Sequence, residues 1–151
     1  MIETMDAAHW NIEEMYARNY FALLLEMKIV ACADGRAEIA MPVQPRKHTN
    51  FRNFCHGGAT AALMDTVMGL ACRTLDKDIV TLQMSTNYYK VAGEGELLTA
   101  RAAVVHNGRK TMTADGEIVN EAGERLMSGR GTFFVIKTFG GADGRKNEAK
   151  E

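Results

Sequence analysis

Apolar positions along this chain follow a helical period at first, then short strand-like runs, then one long apolar stretch, then strands again. From Asn11 to Leu25 the apolar residues Ile12, Met15, Tyr16, Tyr20 and Leu23 recur close to helical spacing. Asn11 suits an N-cap, and Glu13 and Glu14 suit the positive end of the helix dipole. Met27 to Ala33 and Arg36 to Met41 are short apolar runs on either side of Asp34-Gly35, which predicts a hairpin. Residues 42–55, PVQPRKHTNFRNFC, form a long loop that holds Pro42 and Pro45, the cations Arg46, Lys47 and Arg52, and no acid. A loop of this length either works at a site or is plain solvated surface. Ala59 to Cys72 has almost no polar content and predicts a helix buried all round. Four strands follow, Ile79 to Val91, Leu97 to His106, Lys110 to Asn120 and Arg125 to Lys137. Their links are Ala92-Gly-Glu-Gly, Asn107-Gly108 and Glu121-Ala-Gly-Glu, the second a strong hairpin signal. Gly116 is placed inside a strand, as a bulge. The polar, glycine-rich end, GGADGRKNEAKE, is expected to fray. One apolar helix followed by a strand meander predicts an α+β fold, an antiparallel sheet wrapped around one long central helix.

Composition narrows the classes. The chain has 151 residues, the size of one domain. Lys plus Arg is 18 and Asp plus Glu 19, a net charge of −1, which argues against nucleic acid as a partner. The longest unbroken apolar stretch, Tyr20 to Leu25, is far short of the ~20 residues that span a bilayer, so no membrane partner is expected. The first residues, MIETMDAAHW, lack the apolar core of a secretory signal. Cys32, Cys55 and Cys72 are odd in number and show no CxxC spacing, which fits a reducing cytoplasm.

Two features carry chemistry. Asp65 is the one charge between Gly57 and Cys72, and its helical neighbours Ala61, Ala62, Met68 and Gly69 cannot pair with it. Burying such a carboxylate is costly. It stands either on a narrow stripe facing water beside Thr66, or in a cleft as general base or nucleophile. His56-Gly57-Gly58 opens the same helix, where free N–H groups and the dipole suit a developing oxyanion, with the Gly57 N–H as donor. The other reading is a plain glycine turn. Gly57 and Asp65 lie ~12 Å apart along one helix at ~1.5 Å per residue. Acting on one small carbonyl requires both within roughly 3 Å. If both act on it they come from different chains, and the site is shared across a two-fold dimer.

Asn50, His56-Gly57-Gly58 and Asp65, with the Asp34-Gly35 hairpin, the strand Thr81 to Lys90 and the Asn107-Gly108-Arg109 turn, resemble the hotdog-fold acyl-CoA thioesterases of the PaaI-like and thioesterase superfamily member 2 type. The resemblance runs from about Phe21 to Val135. It implies a single hotdog domain over residues 1–137 with a flexible tail over 138–151, a homodimer with a continuous sheet often paired into a homotetramer, and hydrolysis of acyl-CoA thioesters. Coenzyme A is then part of the substrate, with no separate cofactor and no metal. It further implies Asp65 as base or nucleophile, and the Gly57 amide as the group that polarises the carbonyl. Asn50 holds water or substrate, His56 lies by the thioester, and Thr81 orients the water. Tyr88, Lys90 and Arg109 line the coenzyme A channel. The chain departs from the pattern in two places. Asn53 stands where glycine is frequent, so that Asn53 rather than Asn50 becomes an alternative working amide, and Val91-Ala92 replaces a proline.

Other residues take blander readings. Cys55 is core filling rather than a nucleophile. Cys55, His56 and Asp65 match no common metal spacing. His9, His48 and His106 are surface or internally satisfied histidines, and the ten methionines pack the core. Competing functions are a non-catalytic acyl-CoA-binding module and a hotdog dehydratase that pairs a histidine with a carboxylate.

Overall fold

The computed structural model describes residues 11–140. The expectations for His9, residues 1–10 and residues 141–151 lie outside the described residues, whereas Thr138, expected in the tail, ends the last strand and Phe139 is buried with its N–H on the Asp76 carbonyl at 2.8 Å. The elements are α1 (Ile12–Tyr16), α2 (Tyr20–Leu24), β1 (Lys28–Ala33), β2 (Arg36–Pro42), α3 (Gly57–Arg73), β3 (Lys77–Tyr88), β4 (Leu97–Asn107), β5 (Thr111–Val119) and β6 (Arg125–Thr138). The strands form one sheet in the order β1-β2-β4-β5-β6-β3, antiparallel throughout. Helix α3 packs against all six strands, the hotdog arrangement of a sheet around a helix.

The core lies between α3 and the concave face of the sheet. Leu63, Met64, Val67 and Met68 are fully buried there against Met112, Ile118 and Phe133. Gly116 sits in this interface, and the bulge expected at it is absent, because it pairs in register with Ala102 and Gly129. Glycine is required by close approach of the helix: a Cβ at 116 would stand 2.5 Å from Met64 Sδ and 3.3 Å from Met68 Cγ.

Two further expectations are corrected. The segment from Asn11 to Leu25 is two short helices rather than one. Asn11 caps the first through the Glu13 and Glu14 N–H groups, but the Asn19 side chain accepts from the Ala22 N–H at 3.3 Å and starts a second. An asparagine that bonds the backbone locally competes with helix continuation. Met27 precedes β1 instead of joining it. It is buried, and its carbonyl accepts from the Tyr16 hydroxyl at 2.9 Å.

Helix α3 is not buried all round. Gly58, Ala61, Ala62, Asp65, Thr66 and Arg73 remain partly or fully exposed along one side. Beside that side runs β3, an edge of the sheet, with Val80, Thr81, Leu82 and Gln83 all exposed. An apolar sheet edge of this length is a surface that natural proteins usually cover.

The hairpin turns differ in mechanism. Asp34 and Gly35 take φ of 51° and 78°, the left-handed pair of a tight two-residue turn. Gly108 takes no positive φ; a Cβ there would lie 2.6 Å from the Thr111 carbonyl and from His106 Nε2, so crowding selects glycine.

Candidate active site

The loop over residues 42–55 delivers the chain to the start of α3, and its fixing point is His48. This residue is 1% exposed, and its Nδ1 accepts from the Gln44 N–H at 2.9 Å. Its Nε2 therefore carries the proton and donates to the Leu25 carbonyl at 2.8 Å, while the His48 carbonyl accepts from the His56 N–H at 2.7 Å. The loop is thus held to the N-terminal helices on one side and to the cap of α3 on the other. Asn50 tightens the loop tip, its Oδ1 accepting from the Arg52 and Phe54 N–H groups at 2.9 and 3.2 Å. Asn53 takes φ 61°, a conformation asparagine tolerates where other side chains would strain.

His56 is the N-cap of α3, and its Nδ1 accepts from the Gly58 N–H at 2.8 Å. The first bonds of the helical ladder run from Ala59 and Thr60 back to the His56 carbonyl. The Gly57 N–H has no acceptor among the described residues. It opens beside a cavity of about 360 Å³ lined by Asn50, Phe54, Gly57, Tyr88, Lys90 and Val91 among others. Tyr88 donates its hydroxyl to the Gly57 carbonyl at 2.6 Å, and Lys90 is ion-paired with Glu124. Asn53 does not line this cavity.

Asp65 lies two turns further along α3, in a second cavity of about 500 Å³. The carboxylate is half-buried and not unpaired: Thr81 on β3 donates its hydroxyl to Asp65 Oδ1 at 2.7 Å. Thr81 shares this cavity, as do Met15, Tyr16 and Phe21 from the N-terminal segment. Arg73, which sequence reasoning missed, lies there too and bonds the Ile79 carbonyl through Nη2 at 3.1 Å. Burial holds its guanidinium below the usual arginine range, against the pull of Asp78, Cys72 and Asp65. Its one sequence signal was a cation two turns past the lone acid of an apolar helix.

The structure therefore separates the expected residues into two groups. Asn50, His56, Gly57, Tyr88 and Lys90 gather at the start of α3, while Asp65 and Thr81 gather at its middle. Arg109 joins neither group; it stands exposed in the β4–β5 turn. His106 is also exposed. Cys55 is buried, and burial, with Glu96 adding, pushes its thiol up to about 11, so it is protonated and a poor nucleophile at neutral pH. Among the described residues no three His, Cys, Asp or Glu side chains gather as a metal site would need.

The chain as a whole has known relatives. The thioesterase superfamily profile matches residues 52–127, which contain both ends of the α3 site. The acyl-coenzyme A thioesterase PaaI of Escherichia coli is 31% identical over 126 residues, covering 83% of this chain and 89% of that protein. The human acyl-coenzyme A thioesterase 13 is 31% identical over 119 residues, covering 77% and 84%. The solved structure of the Escherichia coli PaaI protein superposes with a TM-score of 0.82 at 29% identity, covering 85% of this chain and 93% of that one. A hypothetical thioesterase protein of Streptococcus pneumoniae, solved with coenzyme A, gives 0.73 at 31% identity over 76% and 92%. That protein has also been solved with an aspartate, and separately a threonine, replaced by alanine. Their numbers there differ by 16, the separation of Asp65 and Thr81 here. The chain belongs to the thioesterase superfamily, in the hotdog fold of the PaaI-like enzymes.

Proposed function

We propose that this thioesterase hydrolyses acyl-CoA thioesters to the free acid and coenzyme A, at a site that two copies complete together. The activity is supported by the family and by relatives named acyl-coenzyme A thioesterases. The shared site is supported by one observation: the Gly57 N–H and the Asp65 carboxylate open into different cavities of the same chain. One carbonyl cannot reach both within a single copy. A two-fold pairing along the exposed side of α3 and the β3 edge brings Asp65 of one copy to Gly57 of the other and continues the sheet. Pairing of two such dimers gives the homotetramer.

The chemistry follows from what each group has free. The Gly57 N–H, at the positive end of α3, holds the carbonyl oxygen as it gains charge. Thr81 occupies Asp65 Oδ1, leaving Oδ2 to take a proton from the attacking water. The C–S bond then breaks and coenzyme A leaves as a thiolate, which needs little help from an acid at neutral pH. Asn50 has its Oδ1 committed to the loop, so only its Nδ2 donors remain to hold water or substrate. His56 keeps the Gly57 amide aimed by capping the helix. Tyr88 and Lys90 line the channel for coenzyme A beside Gly57, whereas Arg109 follows Gly108, whose carbonyl accepts from Lys77 beyond the far end of α3, so it meets the nucleotide only from the other copy. Coenzyme A is part of the substrate, and no separate cofactor enters these steps. Cys32, Cys55 and Cys72 are free thiols, consistent with the cytoplasm as the location.

The dehydratase alternative fits less well, because the His56 Nδ1 is engaged by the Gly58 N–H. The test is thiol release from a panel of short, medium, long and aryl acyl-CoAs. Asp65→Asn should lower turnover about 10²- to 10⁴-fold with the fold intact. Unchanged turnover in that variant, or enoyl formation without thiol release, contradicts the proposal.

A further inference from the structure

The Asp65 cavity holds a charge that the chemistry above does not use. Arg73 is the last residue of α3, and its side chain folds back along the helix instead of reaching into solvent. Gly69 makes this path: a Cβ there would stand 2.9 Å from Arg73 Nη1 and 3.6 Å from Ile79 Cδ1. The guanidinium thus lies over Gly69, one helical turn from Asp65, in the cavity that also holds Thr81. The Ile79 carbonyl is its one hydrogen-bond acceptor among the described residues, and no acid lies within ion-pair distance of it. Of five N–H donors, four therefore lack an acceptor among the described residues. Arg73 keeps only part of its surface in water, and removing most of the water from a guanidinium while leaving it under-bonded is costly. As a tie between α3 and β3 alone it is an expensive one, since one neutral donor would satisfy the Ile79 carbonyl.

We infer that Arg73 is the specificity-determining residue of this thioesterase, and that it receives an acyl group ending in a carboxylate. The inference rests on the thioesterase reading, which sets the thioester carbonyl at Asp65. From there the acyl group enters the cavity of the same chain. The level of Asp65 and that of Gly69 differ by roughly 6 Å along the helix. That span matches a four- or five-carbon diacid joined to coenzyme A at one end. The planar guanidinium can take the distal carboxylate through two parallel bonds. Tyr16, Phe21, Leu70 and Phe133 give the cavity an apolar side that suits the methylene chain, while Asn19, Thr66 and Asp78 make the rest of its wall polar. Arg18 adds a second cation to the same cavity, which offsets the field of Asp78 on the incoming carboxylate.

The experiment compares glutaryl-CoA with valeryl-CoA, and succinyl-CoA with butyryl-CoA, by thiol release from the full chain. Wild type should favour the diacid member of each pair, and Arg73→Met should lower kcat/KM for it roughly 10- to 100-fold while changing the neutral member about twofold at most. Arg73→Gln, which keeps a donor for the Ile79 carbonyl, is the second variant should the first be unstable, with the same expectation. Equal or better hydrolysis of the neutral members by wild type, with a ratio unmoved by either variant, overturns the inference and leaves the thioesterase reading standing. If no acyl-CoA releases thiol, that reading fails. Calorimetric titration with glutaryl-CoA and valeryl-CoA then decides the inference separately: tighter glutaryl-CoA binding that Arg73→Gln levels supports it, and equal affinities overturn it.

Discussion

Thr81 and Tyr88 stand an odd number of positions apart on β3, yet both reach α3, one bonding Asp65 and the other the Gly57 carbonyl. A regular strand sends such a pair to opposite faces. The pairing of β3 with β6 shifts register between Thr81 and Gln83, and the extra residue, Leu82, restores the alignment. Deleting Leu82 turns one of the two side chains away from α3. Turnover should fall by about 10²-fold, the scale of a misplaced reacting group, while circular dichroism still reports a folded sheet. Full activity in the deletion variant would show that the bulge does not align the site.

Thr81→Val tests the other half of that relationship. Valine keeps the volume and removes the donor to Asp65 Oδ1. Because the bond is to a charged group, its loss should cost roughly 10- to 100-fold in kcat, with little change in KM. Thr81→Ser should recover most of the rate, since the hydroxyl returns.

Gly116→Ala probes the packing that places α3. The added Cβ would meet Met64 Sδ at 2.5 Å, in a row where both methionines are fully buried. Overpacking of this kind destabilises by about 1–3 kcal/mol, and thermal unfolding should show a clear drop in Tm. The same substitution at Gly123, where nothing lies within 4 Å, tests a different cost, that of the left-handed φ of 79°.

The cysteines give a pH dependence with a definite sign. Burial pushes the Cys55 and Cys72 thiols up to about 11 from an ordinary value near 9. Below pH 9 both folded and unfolded chains hold these protons. Between 9 and 11 the unfolded chain releases them first, so this contribution to stability declines as pH rises through that window. Denaturant midpoints across pH 8 to 11 check the decline. In the native state at pH 8, iodoacetamide should label Cys55 and Cys72 slowly, and Cys55→Ala should retain turnover.

Much of this molecule was legible in its sequence because local and global signals agreed. The left-handed pair Asp34-Gly35 fixed one hairpin, and the apolar run after His56-Gly57-Gly58 fixed the central helix. The lone Asp65 stood out because a charge in such a run needs a reason. What stayed hidden depends on contacts between distant segments. Asn19 broke the first helix by a local side-chain bond that spacing does not reveal. Gly116 read as a bulge, although its cause is a methionine on another element. Arg73 drew no reading from the sequence, and only the fold shows it turned back over Gly69. The open side of α3 read as buried because sequence reports apolar character, not which side of a helix the sheet covers.

The most direct test mixes two inactive variants. Asp65→Asn removes the base. Gly57→Pro removes the N–H donor at a helix position where proline is tolerated, after a His56 whose φ −60° and ψ 134° already suit a following proline. Each variant alone should be nearly inactive. Unfolded and refolded together in equal amounts, half the dimers are hybrids, each with one intact site, so activity should recover to roughly a quarter of wild type. Activity of the mixture no higher than that of the separate variants would contradict a site built from two copies.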